Sequence, residues 1–126
     1  MWLFTRYGFY SIACAHGTDG SVNKKKLMIR ARRFNHLKNL QTRFHFLSES
    51  EIVRLPNRDY RYRIVVAKEV WADVLSDLVQ EQEWSNFKAE AGRYQASGGE
   101  DYIHALHDVW HVMKRFQDSE PRDGVS

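Results

Sequence analysis

The hydrophobic pattern of this chain changes its period along the sequence, and that change limits the folds it can adopt. Residues 27–32 and 60–67 alternate between two faces with a period of two, which is typical of half-solvated strands. From residue 69 onward, apolar side chains recur every three or four positions, as along amphipathic helices. Strand patterns come mostly first and are joined by short links. We therefore predict an α+β fold, with a single antiparallel sheet of four to five strands and three to four helices packed mainly on one face.

Turn-forming residues and apolar runs set the expected boundaries of these elements. One hairpin is predicted from strands over residues 2–5 and 9–15, and a second over residues 50–67 turns at Pro56-Asn57-Arg58-Asp59. Predicted helices cover residues 33–45, 69–81 and 100–117, and a short helix near Trp84 has Ser85 as its cap and is broken by Ser97-Gly98-Gly99. The expected core includes all four tryptophans and the helix residues Phe34, Leu37, Phe44, Ile103, Leu106 and Met113.

Length and composition indicate one globular domain. The chain has 126 residues, of which 43% are hydrophobic, and this size buries most of the apolar surface without disulfide staples. We expect a single α+β domain over residues 1–117, followed by a flexible polar tail over residues 118–126.

Cysteine use and hydropathy bear on the compartment. Cys14 is the only cysteine, so no intramolecular disulfide can form, and a reducing cytosol is the expected environment. Its apolar neighbours favour an inert thiol over a nucleophile. The N-terminal apolar residues are interrupted by Arg6 and Gly8, unlike a secretory signal, and no stretch approaches the length of a membrane span. We expect a cytoplasmic protein with no membrane partner.

The charge is divided unequally between the two halves of the chain. Residues 1–68 carry fourteen Lys or Arg against four Asp or Glu, a net charge of +10, whereas residues 69–126 carry five against twelve, a net charge of −7. The overall charge of +3 therefore hides a basic, strand-rich half and an acidic, helical half. Such a division indicates either a surface that binds anions or two halves that attract each other.

Strand alternation predicts where the basic side chains lie. If Ile64 and Val66 point into the core, Tyr60 and Tyr62 share their side, and Arg61 and Arg63 point to the opposite side. The same alternation turns Arg30 and Arg32 outward. Like charges facing each other across strands are destabilising, so a sheet that keeps them needs carboxylates nearby or an anionic ligand. The candidate anion-binding or nucleic-acid-binding residues are Arg30, Arg32, Arg61 and Arg63, with Lys24, Lys25 and Lys26 at the margin.

Two interpretations of this basic face remain open. As a functional surface it would contact the phosphates of nucleic acid or the carboxylates of an acidic protein, with stacking from Tyr7, Phe9, Tyr10 or Tyr60 if their rings face outward. As a structural surface it would be solvated, neutralised by the acidic helices, or covered by a partner subunit. A homodimer in which the acidic helices of one copy lie on the basic sheet of another is part of the second interpretation.

Three histidines of the last predicted helix form a stripe beside its apolar face. His104, His107 and His111 lie on one side of the helix, and the four-residue spacing of the last two allows both imidazoles to reach one metal ion, such as zinc. The string His107-Asp108-Val109-Trp110-His111 differs from the zincin pattern by one methylene, because Asp replaces the Glu that acts as general base. No third ligand is evident downstream, and His16, His36 and His45 are candidates only if the fold brings them close. The alternatives are a metal-binding protein or metal-dependent hydrolase, and boundary residues without a cofactor.

Other catalytic patterns are absent from the sequence. There is no phosphate-binding glycine-rich loop, no Gly-x-Ser-x-Gly nucleophile elbow and no pair of closely spaced cysteines. The leading hypothesis is therefore a binding or regulatory module rather than an enzyme, with no catalytic residues and no cofactor, and with an anionic macromolecule as partner.

Several short segments together resemble a family of small bacterial proteins with no assigned activity. They are Met1-Trp2-Leu3-Phe4-Thr5, Gly8-Phe9-Tyr10-Ser11, Arg30-Ala31-Arg32, Asp59-Tyr60-Arg61-Tyr62-Arg63, Trp84-Ser85-Asn86-Phe87-Lys88 and His107-Asp108-Val109-Trp110. The resemblance covers nearly the whole chain. It implies a bacterial origin and one compact domain, and it assigns no catalytic residues.

Overall fold

The chain folds into one antiparallel sheet and four α-helices within the residues that the structure describes. A computed structural model describes residues 1–95 and 99–121. The strands are β1 (Trp2–Thr5), β2 (Gly8–His16), β3 (Val22–Ala31), β4 (Val53–Arg54) and β5 (Tyr62–Ala67). The helices are α1 (Phe34–Arg43), α2 (Lys68–Gln80), α3 (Phe87–Gln95) and α4 (Glu100–Asp118), with a short 3-10 helix over His45–Glu49. The strand order is β1-β2-β3-β5-β4, and the predicted α+β class is confirmed.

Two compact units divide the chain. The first, Met1–Trp84, contains the sheet with α1 and α2, and the second, Ser85–Ser126, contains α3 and α4. The single domain over residues 1–117 stays a prediction. Residues 122–126 of the predicted tail lie outside the described part of the chain, as does the predicted helix break at Ser97-Gly98.

One face of the sheet packs against α1 and α2 and forms the core of the first unit. Side chains from alternate strand positions meet side chains from both helices on this face. The buried core contains Tyr10, Ile12, Leu27, Ile29, Ala31, Ile64 and Val66 from the strands, and Leu37, Leu40, Trp71 and Val74 from the helices. The alternation predicted for residues 27–32 and 60–67 therefore holds inside β3 and β5. Phe34 does not join the core as expected, because it begins α1 and leaves half its side chain exposed.

A buried histidine fixes the first hairpin against α1. His36 is 6% exposed, and its Nδ1 accepts a hydrogen bond from the Phe9 N–H at 3.2 Å. The Tyr10 hydroxyl donates to the His36 carbonyl at 2.6 Å. Gly8 permits this approach, because a Cβ at that position would lie 2.3 Å from the His36 ring and its φ of +154° is rarely adopted by other residues. Sequence reasoning did not place His36 in the core.

An ionic cluster joins the turn of the same hairpin to both helices of the first unit. Glu81, just beyond α2, accepts hydrogen bonds from the Tyr7 hydroxyl at 2.6 Å and from Arg43 Nε at 2.9 Å. Arg6 lies 3.4 Å from the same carboxylate. Burial, and then the hydrogen bond to Glu81, raise the pKa of Tyr7, so its hydroxyl remains a donor at neutral pH. The hairpin is therefore held at two points.

The second unit is a pair of helices with a polar cap. The Asn86 side chain accepts a hydrogen bond from the Ala89 N–H at 2.9 Å, so Asn86 caps α3. This corrects the prediction that Ser85 is the cap. Tyr102 and Leu106 of α4 are buried. Trp110 and Met113, which were predicted to be in the core, are about half exposed.

The stability of the fold is expected to fall with acid because of His36. Burial, and then the nearby Arg33 charge, lower the pKa of His36 from 6.5 to about 4. Its neutral form is therefore favoured in the folded state, and the stabilisation is present above pH 6.5 and lost as the pH falls through 4. We expect a loss of about 3 kcal/mol in the free energy of unfolding between pH 7 and pH 4.

Urea titrations across this pH range measure the effect. The variant His36→Gln is expected to lose most of the dependence between pH 7 and pH 5, where carboxylates contribute least, whereas the exposed control His16→Gln retains it. An identical pH dependence in wild type and His36→Gln contradicts the assignment.

Candidate anion-binding face

The strand register brings two of the predicted arginines into direct opposition on the side of the sheet that faces away from the core. Arg30 of β3 pairs with Arg63 of β5, next to the core pair Ile29 and Ile64. Arg30 also lies opposite Ser11 of β2. The same cross-strand row continues through β1 to Trp2. We call this side the arginine face, defined by Trp2, Phe9, Ser11, Met28, Tyr60, Arg30 and Arg63, with Arg32 and Arg61 just beyond the strand ends.

Neither Arg30 nor Arg63 contacts a carboxylate of the described residues. Arg30 donates from Nη2 to the Ser11 hydroxyl at 2.9 Å and from Nε to the Ser11 carbonyl at 3.4 Å. Among the described residues, Arg63 donates from Nη1 only to the Met28 sulfur, a weak acceptor, at 3.1 Å. The Arg63 Nε is buried and has no hydrogen-bond partner within residues 1–95 and 99–121. The Nη atoms of both arginines therefore keep N–H donors that no charged acceptor of the described residues uses.

The charge of Arg63 is disfavoured by its surroundings. Burial, then Arg30, then Arg58 lower the pKa of Arg63. The direction is the one expected when a cation is partly desolvated among other cations without an anion to balance them. Arg58 lies in the predicted turn and was not among the predicted site residues.

Tyr60 lies on the arginine face, which corrects the prediction that it shares the core side with Tyr62. The Arg32 and Arg30 guanidinium carbons lie 4.3 Å and 4.9 Å from the centre of its ring, and the Phe9 ring is 6.5 Å away. Strand β5 begins only at Tyr62, so the alternation that fixes Tyr62 does not extend back to Tyr60. The Tyr60 ring is buried beneath cations and contributes cation–π stabilisation.

The remaining predicted cations differ in their surroundings. Arg32 forms an ion pair with Asp59 at 3.1 Å, in which both side chains are exposed, so the pair contributes at most about 1 kcal/mol. Arg61 is exposed just before β5. The three lysines, Lys24, Lys25 and Lys26, are exposed toward the start of β3, where the pairing with β2 shifts register between Cys14 and Ala15. Strand β3 starts earlier than predicted because this shift interrupts simple alternation.

An aromatic cluster lies at the β1 edge of the arginine face. The Phe4 and Phe9 rings stack with centroids 4.4 Å apart, and the Trp2 ring meets Phe9 edge-on at 5.9 Å. Trp2 was assigned to the core but is 71% exposed, because Leu3 takes the inward position in this short edge strand. Of the four candidate stacking residues, Phe9 and Tyr60 are on the arginine face, whereas Tyr7 and Tyr10 are in the core.

Two of the three predicted metal ligands meet on α4. The Nε2 atoms of His107 and His111 are 2.9 Å apart, and Lys88 Nζ lies 3.3 Å from His107 Nδ1. His104 is exposed on the same helix. Over residues 1–95 and 99–121, no group of three or more His, Cys, Asp or Glu side chains is arranged to hold a metal ion. The rings of His107 and Trp110 are also parallel, which fits the structural alternative for this stripe.

No family model matches the chain, and neither a curated protein nor a solved structure matches it. The resemblance to a bacterial family stays a prediction, and the geometry of the chain alone supports a functional proposal. None of the helices in the described ranges is long and apolar enough to cross a lipid bilayer.

The unbalanced charge of Arg63 has a measurable cost. Arg63→Met keeps the aliphatic contacts and removes the repulsion from Arg30 and Arg58, so we expect the free energy of unfolding to rise by up to about 1 kcal/mol at low salt. The matched variant Arg32→Met removes an ion pair and a cation–π contact, and we expect a loss of about 1 kcal/mol. Chemical denaturation of both variants at low and high salt tests this difference. Equal destabilisation by the two changes contradicts it.

Proposed function

We propose that this protein is a non-enzymatic binding module whose arginine face binds an anionic macromolecule, namely nucleic acid. The observation that carries the proposal is the opposition of Arg30 and Arg63, which have only uncharged hydrogen-bond acceptors among the described residues, namely Ser11 and the Met28 sulfur. A folded protein that retains such a destabilising pair gains from an anion that neutralises it.

Phosphate is a better match for this pair than the carboxylates of an acidic protein. Guanidinium groups bind carboxylate and phosphate oxygens alike in bidentate geometry, but a phosphate has more oxygens, so one phosphate or two successive ones can accept from Arg30 and Arg63 on neighbouring strands about 4.8 Å apart. Exposed aromatic rings beside the cations suit nucleic acid as well. An acidic protein partner is the alternative outcome of the test below.

The compartment belongs to the same proposal. The single cysteine, which forms no disulfide within the chain, suits a reducing environment, and we place the protein in the cytoplasm, where nucleic acid is available.

Binding to labelled oligonucleotides tests the proposal. Arg30→Gln and Arg63→Gln are each expected to weaken binding at least about fivefold, because each removes a charge-assisted contact. Each variant is also expected to lower the slope of log affinity against log salt by about 0.7 to 0.9. The matched control Lys38→Gln removes an exposed cation of α1, on the helix side of the sheet, and is expected to leave that slope nearly unchanged.

Two results contradict this assignment. The first is that the protein binds polyglutamate and not oligonucleotides, and that Arg30→Gln and Arg63→Gln lose this binding. That result identifies an acidic protein as the partner class. Absence of binding to any polyanion at low salt removes the functional interpretation of the arginine face.

A metal-binding function for α4 is the second candidate, and the facing Nε2 atoms of His107 and His111 support it. Two imidazoles bind a divalent metal more weakly than a complete site. We expect added Zn²⁺ to raise the melting temperature and a chelator to reverse the rise. His111→Ala abolishes the shift, whereas the control His104→Ala preserves it. If the melting temperature rises equally in the wild type, His111→Ala and His104→Ala, the metal binds at some other site.

A further inference from the structure

The aromatic side chains at the β1 edge of the arginine face carry no charge with which to bind phosphate. They therefore indicate a different part of the ligand than the arginines do. Trp2 is 71% exposed, although burial of such a large ring is favourable. Its edge-on contact with Phe9, which itself stacks on Phe4, holds the indole at a defined angle above the sheet.

The cross-strand row orders these side chains from aromatic to cationic. Trp2, Ser11, Arg30 and Arg63 occupy successive strands in one register, so the row runs from the exposed ring to the unbalanced guanidinium groups. With strands about 4.8 Å apart, the backbone positions of Trp2 and Arg63 are separated by roughly 14 Å. A ligand lying across the strands meets a ring at one end and two cations at the other.

The aromatic rings of this face divide into two roles. Tyr60 is buried under Arg30 and Arg32 and positions their guanidinium groups, so its faces are already occupied. Trp2 is exposed and packs only against Phe9 among the ring contacts of the described residues. The free ring surface therefore lies beside the cations, which is the arrangement found where bases stack on a protein and phosphates follow a positive groove.

We infer that the ligand of the arginine face is a single-stranded nucleic acid, with a base stacked on Trp2 and its phosphates bound by Arg30 and Arg63. This inference rests on the proposed function and narrows it. In a duplex the faces of the bases are stacked on one another and only their edges are open, so Trp2 would find no ring to stack on. Stacking does not read base edges, so binding tolerates different sequences.

Three ligands and four variants of the full chain test the inference. The ligands are a labelled single-stranded oligothymidine, a duplex of the same length and inorganic polyphosphate, which has charge but no bases. We expect the single strand to bind more tightly than the duplex. Trp2→Ala is expected to weaken single-strand binding by about fivefold to 150-fold and to leave the salt slope and polyphosphate binding unchanged.

Two further variants separate stacking from charge. Arg63→Gln weakens binding of all three ligands and lowers the salt slope. Phe34→Ala, which removes another half-exposed aromatic ring on the α1 side, leaves all three affinities unchanged. Thermal melts confirm that each variant is folded. The single strand is also expected to quench tryptophan emission in the wild type, because the Trp2 ring stacks on a base. In Trp2→Phe, in which three tryptophans remain, we expect this quenching to be lost.

The outcomes distinguish this inference from the proposed function. Two outcomes overturn the stacking inference and leave the anion-binding proposal in place. One is that the duplex and the single strand bind equally. The other is that Trp2→Ala leaves single-strand affinity unchanged while Arg63→Gln weakens it. Failure of wild type to bind any of the three polyanions overturns both.

Discussion

The antiparallel pairing of β3 with β5 is the constraint on which the rest of the first unit depends. It sets Ile29 against Ile64 under the helices and, one residue along, Arg30 against Arg63 on the other side. A shift of one residue in either strand would exchange the two sets and bury guanidinium groups in the core. The apolar pairs therefore enforce the repulsive pair, because the core is too costly to lose. The opposed arginines are a consequence of the same register that makes the fold stable.

The neighbours of those arginines reduce the repulsion without neutralising it. Ser11 and Met28 provide acceptors that carry no charge, and the Tyr60 ring provides a polarisable surface. Carboxylates at these positions would form closed ion pairs and would compete with the phosphate ligand that we propose. Arg32, which does pair with Asp59, shows that the chain can neutralise an arginine at this site. Uncharged neighbours therefore hold Arg30 and Arg63 in place without neutralising them, which is what the proposed binding function requires.

Strand alternation was enough to predict the outward direction of Arg30 and Arg63, because both lie inside strands where neighbouring apolar residues fix the two faces. The prediction failed where a strand ends or an edge begins. Tyr60 precedes β5 and follows loop geometry, and Trp2 lies in an edge strand where Leu3 satisfies the core. The opposition of Arg30 to Arg63 depends on register, which one strand pattern cannot supply. His36 was missed because a polar residue on a helix gives no sign that the backbone of Gly8 leaves room for it.

The lengths of the two outermost strands have a further consequence. Strand β1 has four residues and β4 has two, so each outermost strand offers few backbone groups of its own to another chain. Short borders give foreign strands little to add to, and cationic side chains such as Arg54 hinder close approach. Strand-by-strand aggregation into fibres is thereby disfavoured. At β1 and β4, copies of the protein therefore have little backbone to pair with border to border.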